Sequence, residues 1–119
     1  MIEVRICGYY SIGIDDLATF LPDKPDNFAY TLDVQVCPLE GRGVETFRFD
    51  ICTPNWLADR LVNKQVMSGR HLTIVARHDV VAILKHIESL VHSISADTWD
   101  EFAHYMNEEA YFADRYNSS

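Results

Sequence analysis

Two residues in this chain stand where chemistry is conceivable. Cys52 comes just before Thr53-Pro54, a pair that can open a helix through a hydroxyl cap and a proline at the first helical position. A thiol at a helix N-terminus can have its pKa lowered and act as a nucleophile. It then needs a general base, and nothing in the sequence names one. His78, followed by Asp79, falls at a strand–helix junction, where it could serve as a base or a metal ligand. The structural role of each, a packed thiol and a junction histidine, is the reading favoured here. The other histidines are His71, His86, His92 and His104, and none makes a ligand pair such as H-E-x-x-H. His104 follows Asp100 by four residues, a spacing that supports a helix by charge. Gly41-Arg42-Gly43 is a hairpin turn and not a phosphate-cradling loop, which would open a helix. No catalytic set, metal site or cofactor site emerges.

The elements that must position these residues follow from periodicity. The central stretch is Phe47-Arg48-Phe49-Asp50-Ile51-Cys52-Thr53-Pro54-Asn55-Trp56-Leu57-Ala58-Asp59-Arg60-Leu61. Phe47, Phe49 and Ile51 alternate with Arg48, Asp50 and Cys52, the period of a strand with one buried face. At Thr53 the period changes, and Trp56, Leu57 and Leu61 predict a short packed helix. Before it, residues 2–12 alternate as a first strand with a possible bulge at Gly8, and Phe28 to Cys37 form a second. Pro38 to Gly43 turns the second strand into the third as an antiparallel hairpin. His71 to Arg77 reads as a fourth strand. Asp79 caps a helix in which Val80, Ile83, Leu84, Ile87, Leu90, Val91 and Ile94 keep helical spacing. Asp97 or Thr98 starts another with Trp99, Phe102 and Met106, and Asn107 to Tyr116 is expected to be helical. The order β-β-β-α-β-α-α gives an α+β fold: a single-domain two-layer sandwich over residues 1–119, a mostly antiparallel four-stranded sheet against about three helices.

Charge narrows the partners. The net charge of −8 argues against binding nucleic acid or an anionic membrane and favours a basic protein partner. Cys7, Cys37 and Cys52 are an odd, widely spaced set that fits reduced thiols in the cytoplasm, and Met1 to Arg5 lacks signal-peptide character. From Asp97 to Asp114 the carboxylates are Asp97, Asp100, Glu101, Glu108, Glu109 and Asp114, with no Lys or Arg among them. Trp99, Phe102, Tyr105, Tyr111 and Phe112 interleave. Inward aromatics and outward carboxylates explain the pattern, but the uncompensated charge gains nothing structurally. A second acidic patch lies at Asp15, Asp16, Asp23 and Asp26. Both sets are candidate contacts for a cationic cleft, with Tyr and Trp as anchors.

With these residues in view, the chain resembles the immunity protein 8 family of bacterial polymorphic-toxin systems. The resemblance is carried by Cys52-Thr53-Pro54-Asn55-Trp56-Leu57, by the helix with Trp99, Phe102 and Tyr105, and by the aromatic and acidic stretch toward Tyr116. It spans about the last two-thirds of the chain. It implies a cytoplasmic antitoxin, without enzymatic activity, that binds a cognate toxin domain and blocks its active site. Many such toxins are nucleases with basic clefts. A homo-oligomeric interaction module, or an enzyme using Cys52 or His78, are the alternatives, and the oligomeric state is open.

Overall fold

The structure is a computed structural model that describes residues 1–112. Strands β1 (Val4–Tyr10), β2 (Ala29–Pro38) and β3 (Glu45–Cys52) form an antiparallel meander. Helix α1 (Pro54–Lys64) then leads to β4 (Leu72–Ile74), which pairs parallel to β3. Helices α2 (Val80–Ser93) and α3 (Trp99–Met106) follow, and a short β5 (Tyr111–Phe112) returns antiparallel to β3. Three of the four pairings are antiparallel, so the mostly antiparallel α+β expectation holds, with a fifth strand added.

The alternation in β2 and β3 does what its period requires. Leu32, Val34 and Val36 lie beside Phe49, Phe47 and Glu45 across the hairpin. The apolar members of that set, with Ile51, are fully buried. Ile83, Ile87 and Val91 of α2 and Phe102, Ala103 and Met106 of α3 close over them. Helical spacing puts each trio on one side of its helix. Each helix begins on a side-chain cap: Asp79 accepts from the Ala82 N–H at 3.1 Å, and Thr98 from the Glu101 N–H at 3.1 Å.

The opposite face of β3 carries Arg48, Asp50 and Cys52. Arg48 is only 7% exposed, and its guanidinium grips the cross-strand Asp33 carboxylate with two bonds of 2.8 and 3.0 Å. That two-pronged geometry suits a planar guanidinium. Thr53 sits where strand gives way to helix and is fully buried. Its hydroxyl accepts from the Trp56 N–H and the Phe28 N–H, so one side chain caps α1 and satisfies the start of β2. The register shift between Ile6 and Gly8 is the bulge expected at Gly8.

Four sequence expectations are corrected. Helix α1 is not packed: it buries none of its residues. Asn55 donates to the Asp26 carbonyl and Asn27 donates to the Asp59 carboxylate. These bonds hold the helix to the loop beyond the sheet end and not to the core. The fourth strand is three residues long, not seven. Asn107 to Tyr116 is not a helix in its described part. The backbone turns after Met106, with the Ala110 N–H donating to the Met106 carbonyl, and Tyr111-Phe112 then pairs with Arg48-Phe47, an edge that the short β4 leaves open. The β propensity of adjacent aromatics suits that outcome. Residues 113–116 of that segment lie outside the described residues.

The fourth correction concerns the thiols. Cys7 and Cys37 form a disulfide, because the antiparallel β1–β2 register brings two residues 30 apart in sequence to neighbouring positions. Cys52 alone is free, and it is buried. Alkylation of the native, unreduced protein should therefore add no tag. Mild reduction should add two, and a third should appear only on unfolding; mass spectrometry reads each step. A tag on Cys52 in the folded protein would contradict this packing.

Candidate functional site

The two conceivable nucleophile or base positions are built for packing. Cys52 is 1% exposed. Burial, with the nearby Asp50 carboxylate adding to it, raises its thiol pKa, the reverse of what a helix N-terminus alone would do. The same burial holds the Asp50 carboxyl above its ordinary value against the opposing pull of Arg48 and His71.

His78 lies edge-on to Phe20, Phe28 and Tyr30, with ring centroids 5.5, 5.4 and 6.3 Å away. Its backbone N–H donates to the Pro25 carbonyl at 2.6 Å. This histidine is the peg on which the aspartate loop hangs. Burial lowers its pKa from 6.5, outweighing the opposing pull of Asp79. Below pH 6.5 the unfolded chain therefore takes up a proton that the folded chain refuses, and stability falls as pH drops toward the lowered value. Denaturation midpoints between pH 7.5 and 5 should show this loss, and His78→Gln should flatten that component. An unchanged slope in the variant would remove His78 from the account.

Every candidate carboxylate among the described residues lies on the surface. Asp97, Asp100, Glu101, Glu108 and Glu109 are exposed, as are Asp15, Asp16, Asp23 and Asp26; Asp114 lies outside the described residues. Asp100 and Glu101 occupy the first turn of α3, where the helix dipole favours negative charge. Asp97 pairs with the Met1 amino group at 3.2 Å in a contact open to solvent. Among the described residues no ion pair joins Asp100 to His104, so the expected helix pair does not form; His104 instead contacts the Tyr105 ring.

Glu108 and Glu109 sit in the turn after α3, at the rim of a groove of about 310 Å³ lined by Leu90, Ile94 and Tyr105. Tyr105 is 43% exposed. Leu90 and Ile94 read as core from helical spacing alone, and only their half-buried state shows them beside the acids. Asp97 and the patch at residues 15–26 are not brought together. Asp97 adjoins the start of β1, whereas residues 15–26 leave its far end. Seven strand residues separate them, roughly 23 Å at the usual rise.

Among the described residues no group of His, Cys, Asp and Glu could hold a metal ion, and no helix is long and apolar enough to cross a membrane. No curated protein and no solved structure matches the chain. The family model described as immunity protein 8 matches residues 4–113. That match begins at β1 and runs past β5, so it takes in the whole meander as well as the segment from Cys52 onward. An open sheet roofed by two helices, with its carboxylates outside and its one free thiol inside, is thus the form this sequence gives to a known type: the chain belongs to the immunity protein 8 family.

Proposed function

We propose that this protein is a cytoplasmic antitoxin that binds a cognate bacterial toxin domain, a nuclease, and neutralises it by covering the basic cleft where nucleic acid would sit. The observation that carries the reading is the run of exposed carboxylates from just before α3 to the turn after it, Asp97, Asp100, Glu101, Glu108 and Glu109, with no Lys or Arg interspersed. Carboxylates held outward on a folded scaffold can stand in for phosphates, and the exposed Tyr105 ring offers an anchor beside them. The chain itself makes and breaks no bond in this reading. The buried, raised Cys52 thiol and the caged His78 support that view.

Opposite charge accelerates encounter, and salt screens it over about 8 Å at physiological ionic strength. Stopped-flow association with the toxin domain encoded beside this chain should slow steeply between low and high salt. An on-rate indifferent to salt would overturn the electrostatic reading.

A further inference from the structure

The Cys7–Cys37 disulfide lies on the sheet face turned away from the core. Val4 and Ile6 of β1 pack against the core cluster, so Cys7 alternates to the other side, where it is exposed and Cys37 is half-buried. Ile6 faces Val36 and Gly8 faces Gln35 across the ladder, which makes Cys7 the extra residue of the bulge. A bulge leaves that residue unpaired and re-aims its side chain. Exposed disulfides are the labile ones, open to exchange with other thiols. A disulfide in a cytosolic protein is as a rule transient and redox-sensing, and the inference rests on the antitoxin reading only for that compartment.

The opened state is provided for. The Gln35 carbonyl oxygen lies 3.4 Å from Cys7 Sγ, so a Cys7 thiol finds an acceptor without moving. Cys52 does not compete for either partner. It is buried and pairs with Ala29, eight steps along β2 from Cys37 and roughly 26 Å away at the usual rise. What the bond holds is a weakly anchored strand. No residue of β1 is buried, and among the described residues β1 pairs with β2 alone. The bond also closes the ends of a segment of sequence separation 30, which contains Asp15, Asp16, Asp23 and Asp26. Opening it returns chain entropy to that segment.

We infer that Cys7–Cys37 is a thiol–disulfide exchange site, opened at Cys7 Sγ by a small monothiol of the glutathione class, and that its state sets how firmly β1 and the aspartate loop are clasped to the sheet. The thiolate of the small molecule attacks Cys7 Sγ. The Cys7–Cys37 bond breaks, and Cys37 leaves as a thiolate and takes up a proton. A second small thiolate attacks the small-molecule sulfur of the mixed disulfide, and Cys7 leaves and is protonated in turn. The protein gains two electrons and two protons, and the two small thiols depart as their own disulfide. The reverse sequence closes the bond.

The test uses the intact chain and glutathione, and needs no toxin. In glutathione buffers that bracket the cytosolic poise, acid quenching, alkylation and mass spectrometry should find closed and open forms together, the open one gaining as reduced glutathione rises. A bond closed throughout, or a pair open throughout, overturns the assignment. Folded Cys37→Ser should take up one glutathione from oxidised glutathione, and Cys7→Ser should do so roughly tenfold or more slowly. Equal rates overturn Cys7 as the point of attack. Hydrogen exchange then compares the two forms of the parent chain. Amides of β1 and of residues 11–27 should exchange roughly tenfold or more faster in the open form, with those from Phe47 to Ile51 unchanged. Identical exchange in β1 overturns the clasp, and so does an equal rise through the core, because the bond would then hold the whole fold and not one strand.

Discussion

Glu101→Lys, Glu108→Lys and Glu109→Lys combined are expected to slow capture of a basic toxin domain by about two orders of magnitude at low salt, within the range that electrostatic steering supplies. All three side chains are exposed, and among the described residues none of them is seen in a side-chain hydrogen bond or ion pair. The triple variant should thus melt like the parent. Three carboxylates become cations, which raises the net charge from −8 to about −2, so the long-range attraction for a cationic partner weakens and the surface around α3 loses its own. The deficit should shrink as salt rises, because the interaction is screened. Association rates measured at two ionic strengths decide the matter. An equal deficit at both would mean that a short-range contact was lost and not a field.

Phe49→Ala is expected to remove about 3–5 kcal/mol of stability, the usual range for truncating a buried phenylalanine. Domains of this kind hold about 5–15 kcal/mol in all. Phe49 is fully buried in the middle of β3, opposite Leu32 and within the core cluster that residues of both covering helices share. Neighbours on all sides leave little room for collapse into the space. Urea denaturation followed by tryptophan fluorescence measures the loss. A change under about 1 kcal/mol would show that the β3 core is looser than its burial implies.

Much of this arrangement can be read from residue order, and the reason is local. Between Phe47 and Thr53 the apolar period is 2, and after Pro54 it is helical. The strand, its cap and the following helix were therefore all fixed by neighbours a few positions apart. The α2 face, from Ile83 to Val91, was legible in the same way. What could not be read depends on distant partners. Leu57 and Leu61 have the same spacing whether or not something covers them, so an uncovered α1 looks like a packed one. Cys7 and Cys37 meet only through the β1–β2 register. Tyr111-Phe112 is too short to show a period, and its strand form depends on the vacant edge at Phe47-Arg48. The exposed acids were legible as a composition, but not which of them the fold sets near one another.

The far edge of β3 is shared by two strands that never touch in sequence: β4 takes Asp50 to Cys52, and β5 takes Phe47 and Arg48. Losing the last ten residues or so, by proteolysis or by a badly placed stop codon, would bare one half of that edge while leaving the other closed. Unsatisfied amides and carbonyls at a sheet margin recruit strands from other chains. A C-terminally trimmed product should therefore clump before it unfolds.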